Sequence, residues 1–293
     1  MNIAVILNPA SGSGTGEDAA REIARLFDAR GAECTVTVAR GGRALREAAD
    51  AALKAGCRNL VAGGGDGTVN ALAGAVTGRD VPLGVLPLGT LNHFAKDLVI
   101  PLELAAAVGV VLDGRVQSVD VGEVNGRIFL NNCSIGVYPR IVELRNRYGG
   151  RGLAKWAAAL WASLTVLRRR PFLAVRIETP GQAAVRRTPF VFVGNNEYRM
   201  AGLRAASRES LTGGHLAVYL MNAGERPGLL RLAWQVFWRG ADQVRELDLL
   251  LVKEIVIETR RRTLQVAIDG EVVVLPSPLR YRCMPGAVRV TVP

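Results

Sequence analysis

At 293 residues the chain is long for one domain and comfortable for two, and its 49% hydrophobic content supports a sizeable core. A net charge of +11, from 37 Lys+Arg against 26 Asp+Glu, points to anionic partners: nucleic acid, membrane or phosphorylated ligands. Scattered cysteines (Cys34, Cys57, Cys133, Cys283) with no CxxC, and only two histidines (His93, His215), argue against a disulfide framework or a Cys/His metal site.

Residues 3–7 read as a fully buried strand, followed by the small-residue turn Asn8-Pro9-Ala10-Ser11-Gly12-Ser13-Gly14-Thr15-Gly16. A helix with Ile23, Leu26 and Phe27 on one face comes next, then a strand over 35–39 and a helix over 44–55. A third strand ends at Gly63, and a helix follows that breaks near Gly78. A fourth strand, 83–86, runs into Pro87-Leu88-Gly89-Thr90-Leu91-Asn92-His93, and another helix spans 102–112. Such β-α alternation predicts a parallel sheet with helices on both faces, so the loops after Leu7, Ala62 and Leu86 should gather at one sheet edge.

From about Val116 the pattern changes. Segments 116–124 and 127–135 alternate around Asn125-Gly126, a hairpin signal. Two helices are expected over 139–148 and 153–167, then strands near 172–178, 185–194 and 215–221, and a helix over 229–238. The end reads as strand at 253–258, 264–268, 271–275, 279–283 and 288–292. This predicts an α/β domain over 1–123 and a β-rich sandwich domain with a helical insertion over 124–293.

The densest chemical signal is Gly63-Gly64-Gly65-Asp66-Gly67-Thr68-Val69-Asn70. Its glycines let backbone N–H groups approach a ligand, and the helix start behind them favours phosphate. Asp66 inside such a loop makes sense when Mg²⁺ accompanies the phosphate. No Gly-Lys-Ser/Thr follows, so this is no Walker A loop, and Thr68 stands where the dinucleotide fingerprint needs its third glycine.

Gly-Gly-Asp-Gly-Thr followed by Val-Asn resembles the nucleotide loop of the diacylglycerol kinase catalytic family, which includes sphingosine kinases and bacterial lipid kinases. Two further stretches are similar to that family: Asn8-Pro9-Ala10-Ser11-Gly12, and Gly89-Thr90-Leu91-Asn92. The resemblance implies a two-domain lipid-kinase fold that uses ATP and Mg²⁺. It implies nucleotide contacts from Asn8, Ser11, Gly12, Gly64, Gly65, Asp66, Gly67, Thr68, Gly89, Thr90 and Asn92, and Lys96 could neutralise phosphate one turn on. Asp120 matches an acid near the family's hinge, which implies a metal-holding pair of Asp66 and Asp120. Asp269-Gly270-Glu271 is a hairpin turn by spacing and also resembles the family's Asp-Gly-Glu, whose acids face the nucleotide loop across an interdomain cleft. On that resemblance Asp269 is the candidate general base, with Glu271 and Asp66 completing the catalytic set. The chain departs from the family at His93 and Ala71, where relatives keep acids, and at Ser210-Leu211-Thr212-Gly213-Gly214, where many bacterial relatives have an acidic pair.

Eight cations against one acid between Arg140 and Arg170, with Trp156 and Trp161 among them, suit an anionic membrane surface. Residues 226–239, with Trp234 and Trp238, are a second such stretch. No basic-aromatic strand motif or helix-turn-helix supports nucleic acid. Met1–Leu7 lacks the features of a signal peptide, and no run of 18 apolar residues occurs. The expectation is a cytoplasmic enzyme, peripheral at the inner membrane face, that phosphorylates a lipid hydroxyl with diacylglycerol as the default acceptor. Two rivals remain: a kinase of a soluble alcohol or NAD-type substrate, and a non-catalytic lipid- or nucleotide-binding relative. Oligomeric state is not legible.

Overall fold

A computed structural model describes residues 2–9, 16–136, 173–179, 182–199, 207–208, 210–221 and 247–293. They form two units, Met1–Val121 with Met284–Pro293, and Gly122–Cys283.

In the first unit β1 (Ile3–Leu7) pairs in parallel with β2 (Cys34–Val38) and with β3 (Asn59–Gly64), and β3 with β4 (Leu83–Pro87). All residues of β1, β3 and β4 are buried, as expected of strands covered on both faces. The covering helices are α1 (Gly16–Asp28), α2 (Gly42–Lys54), α3 (Asp66–Val76) and α5 (Leu104–Asp113), with α1 against α5 and α2 against α3. Their buried faces follow helical spacing: Ile23 and Phe27 in α1, Leu45 and Ala49 in α2, Val69, Leu72, Ala73 and Val76 in α3. Glu103 starts α5 by accepting the N–H groups of Ala105 (2.9 Å) and Ala106 (2.7 Å). A short helix, α4 (His93–Asp97), follows β4.

The second unit is a sandwich. One sheet has the order β14 (Leu247–Val252), β13 (Leu216–Met221), β10 (Phe190–Asn195), β7 (Asn132–Gly136), β16 (Thr263–Ile268), β17 (Glu271–Pro276). The other contains β15 (Glu254–Thr259), β8 (Leu173–Thr179), β9 (Gln182–Thr188) and the opening residues of β18 (Leu279–Val292). Phe129, Ile135, Val193, Val218 and Val266 meet Val175, Ile257, Leu279 and Tyr281 in one apolar core. Asn125 and Gly126 both have positive φ (48° and 81°), the two-residue turn that joins β5 (Arg115–Val124) to β6 (Arg127–Phe129).

Three departures from the sequence reading have physical reasons. The expected strand over 127–135 is broken at Leu130–Asn131, because the backbone N–H groups there turn to the Asp269 carboxylate. The expected strands 279–283 and 288–292 are one strand, β18, with Gly286 at φ 61° and its N–H donated to Asp120 (2.9 Å). Residues 284–293, which the sequence reading gave to the second domain, group with the first unit, and Val290 there pairs with Leu83 of β4. The strand β14 was not foreseen. The helices expected over 139–148, 153–167 and 229–238 lie outside the described residues.

Candidate functional site

The parallel register brings the three small-residue loops to one edge of the first unit. Leu7 is level with Gly63, and Gly64 with Pro87, so the chain leaves β1, β3 and β4 side by side. The loops then join through specific bonds. Asn8 donates from its side chain to Thr68 Oγ1 (3.1 Å) and from its backbone to the Gly63 carbonyl (2.9 Å). Leu88 N–H donates to the Gly64 carbonyl (3.1 Å). A Cβ on Gly89 would collide with the Gly65 Cα, and one on Gly64 would lie 2.6 Å from Thr68 Cβ. Only glycine permits this approach.

Asp66 sits at the first position of α3 and reaches the neighbouring loop. Its carboxylate accepts the N–H groups of His93 (3.2 Å) and Phe94 (3.1 Å), the start of α4. The first N–H groups of a helix are the ones a side-chain acceptor can take, and a carboxylate also suits the positive end of a helix. The backbone of residue 93 makes this contact, so the histidine in place of an acid leaves it intact. Asn92 (φ 50°) is 6% exposed and spends its amide on its own loop: Oδ1 accepts from Gly89 N–H (3.0 Å), and Nδ2 donates to Pro87 and Gly89 carbonyls (3.2 and 2.8 Å).

The expected nucleotide residues therefore divide in two. Asn8, Gly64, Thr68 and Asn92 build the cradle, and Thr68 is only 2% exposed. Gly65, Asp66, Gly67, Gly89, Thr90 and Lys96 keep exposed or half-buried positions from which a ligand can be met. The first N–H groups of α3, at Asp66 and Gly67, add donors that a helix leaves unused. Ser11 and Gly12 lie outside the described residues.

The two acids expected to hold a metal ion each have a backbone partner. Asp120 is 3% exposed and anchors Gly286, and Asp66 anchors α4. Among the described residues no three His, Cys, Asp or Glu side chains form a group able to hold a metal ion.

In the second unit, Asp269 and Gly270 (φ 46° and 85°) form the turn between β16 and β17. The Asp269 carboxylate is gripped by three backbone donors: Leu130 N–H on Oδ2 (2.8 Å), and Asn131 and Asn132 N–H on Oδ1 (2.9 Å each). Its own N–H donates to the Asn132 carbonyl (2.9 Å). Burial pushes this carboxyl up to about 6, against the three N–H groups and the Arg208 guanidinium, which pull it down. Glu271, two residues on, is exposed. Sequence reasoning missed the residues behind this turn. Arg208, 8% exposed, donates to the Leu130 carbonyl and to Asn131 Oδ1 (3.2 Å), and Asn195 Nδ2 donates to the same carbonyl (2.9 Å). No local signal marks them, since their partners lie 65 to 78 positions away.

The diacylglycerol kinase catalytic domain profile matches residues 2–124, and that of the YegS C-terminal NAD kinase beta sandwich-like domain matches 132–292. The chain belongs to the diacylglycerol kinase catalytic family. A Pseudomonas aeruginosa protein named "Probable lipid kinase YegS-like" is 31% identical, over 96% of this chain and 92% of its own length. A Mycobacterium tuberculosis protein named "Diacylglycerol kinase" is 26% identical, over 99% and 95%. A diacylglycerol kinase structure from Bacillus anthracis shares the fold, with a TM-score of 0.71 and 19% identity over 100% of this chain and 97% of that one. ATP-dependent lipid kinase is the enzyme class that goes with this membership. Among the described residues no helix is long and apolar enough to cross a membrane.

Proposed function

We propose that this protein transfers the γ-phosphate of ATP to the hydroxyl of a membrane lipid, with diacylglycerol as acceptor. The observation that carries the reading is the joining of three loops at one sheet edge through Asn8–Thr68, Gly65–Gly89 and Asp66–His93/Phe94. In the proposal the N–H groups at the start of α3 receive phosphate oxygens, Thr90 and Lys96 approach from the neighbouring loop, and Asp66 keeps the two loops in register. Phosphoryl transfer needs positioning and charge compensation more than a strong base. A Mg²⁺ ion would be held chiefly by nucleotide phosphates and water, as is usual for this hard cation.

The structure divides the two acids of the second unit. Asp269 was the expected base, but three backbone N–H groups already hold its oxygens and tie it to the turn. We assign the proton from the acceptor hydroxyl to Glu271, whose exposed carboxylate can meet it, and give Asp269 the task of fixing the turn. The peripheral membrane location expected from the basic segments stays part of this proposal. Those segments, Arg140–Arg170 and 226–239, lie outside the described residues.

The matched description of the second domain as NAD kinase-like favours one other reading, in which NAD or another soluble alcohol is the acceptor. Incubation with γ-³²P-labelled ATP and a panel of diacylglycerol, sphingoid base, phosphatidylglycerol and NAD separates the two. Label in the lipid phase supports the proposal, and label in NAD alone refutes it.

A further inference from the structure

Behind the Asp269 turn lies a buried cation that no reading above puts to use. Arg208 stands in the two-residue strand β12 (Ser207–Arg208), paired with β11 (Tyr198–Arg199), and is 8% exposed. A buried guanidinium is expensive unless its donors and its charge both find partners. Its donors go to the Leu130 carbonyl and to Asn131 Oδ1. These same two residues turn their backbone N–H groups the other way, onto Asp269. Asn195 supports the arrangement from β10, donating Nδ2 to the Leu130 carbonyl and N–H to the Asn131 carbonyl (2.9 Å each). A two-residue peptide segment is thus held between a cation on its carbonyl side and a carboxylate on its N–H side. Such chains of hydrogen bonds polarise one another in the same sense.

We propose that Arg208 is a positioning residue: by holding Leu130 and Asn131 it keeps Asp269 gripped and so fixes the turn that presents Glu271. The role rests on the lipid-kinase reading for its catalytic consequence, and on the geometry alone for its effect on Asp269. The charge of Arg208 favours ionised Asp269, the form whose oxygens accept the backbone donors most strongly. Among the described residues the titratable groups around Asp269 are Arg208 on β12, Cys133 on β7 and Glu271 two residues along β17. Cys133 is buried, and its thiol is held well above the usual range, so it stays neutral while Asp269 titrates. Lysine could restore the charge but not the two-pronged contact, since it lacks the planar fork.

The test uses the full chain as wild type, Arg208→Gln and Arg208→Lys. Carboxyl ¹³C NMR on aspartate-labelled protein reads the Asp269 midpoint, and kcat and KM for ATP are measured with diacylglycerol in mixed micelles. Arg208→Gln should raise the Asp269 midpoint by about one pH unit or more. It should lower kcat about 10-fold or more while KM for ATP stays within about two-fold. Arg208→Lys should return the midpoint to near that of wild type and recover part of kcat. If Arg208→Gln does not fold, Arg208→Lys decides alone: the proposal requires a loss of about three-fold or more in kcat at unchanged KM for ATP. An unmoved Asp269 midpoint in folded Arg208→Gln, or wild-type kcat in Arg208→Lys, overturns it. A wild type that labels no lipid overturns the kinase reading instead, and the Asp269 midpoint still decides the role of Arg208.

Discussion

Replacing Gly89 with alanine tests the joined loops most sharply. Gly89 has no positive φ, so alanine is free to adopt its backbone and the effect is steric. The added Cβ would lie 2.7 Å from Asn92 Oδ1 and 3.2 Å from Gly65 N, besides colliding with Gly65 Cα. The nearest clash is with Gly65 backbone, so moving the Asn92 side chain does not relieve it. Relief requires the two loops to part by roughly 1 Å, at an overpacking cost of about 1–3 kcal/mol. For a site that works by positioning, a displacement of about 1 Å costs on the order of 100-fold in rate. Gly89→Ala should therefore unfold at only modestly lower urea concentration and lose about 100-fold in kcat/KM for ATP. Urea titration and steady-state kinetics on the same preparation check this. Wild-type kcat/KM for ATP in a folded Gly89→Ala protein would refute the contact between the loops as a functional feature.

Three further outcomes follow from named contacts. Asp66→Ala strips His93 and Phe94 of their acceptor, which should cost about 1–2 kcal/mol of stability and abolish transfer from ATP. Asp66→Asn should lose less stability, read by thermal unfolding, because one acceptor oxygen remains. The third concerns pH. Asp269 has a folded midpoint of about 6 against an ordinary value of 3.8, so the native state binds this proton more tightly than the unfolded chain does. Stability from this group is therefore greatest below about pH 4, falls between about 4 and 6, and is level above. The gap of about two pH units corresponds to about 3 kcal/mol. Asp269→Asn should flatten that part of the urea midpoint-against-pH curve, because the amide does not titrate. A curve parallel to wild type would show that Asp269 does not titrate in this range.

What could be read from the sequence was whatever local backbone chemistry dictates. The all-apolar runs gave the parallel strands, Asn125-Gly126 and Asp269-Gly270 gave two turns of positive φ, and the glycine loop marked the edge where the loops join. Individual roles were less visible, because the partners are remote. Thr68 looks like a ligand contact in sequence but is buried against Asn8, 60 positions away. Asn92 looks like one too, yet its amide closes its own loop. Asp269 was the candidate base by resemblance alone. Its engagement by Leu130, Asn131 and Asn132 depends on a pairing across about 138 positions that no local pattern reports. The same pairing explains the broken strand after Phe129 and hides Arg208, an ordinary arginine in an unremarkable stretch.

We propose a loop-built phosphate cradle that serves a lipid hydroxyl, with the proton taken by Glu271. The most direct measurement is the rate of ³²P transfer from labelled ATP to diacylglycerol in mixed micelles, for wild type and Glu271→Gln side by side. Wild type should label the lipid, and Glu271→Gln should do so about 100-fold more slowly with unchanged thermal stability, because the exposed side chain carries little of the fold. Equal rates in the two proteins, or no lipid label from a wild type that binds ATP, would contradict the account.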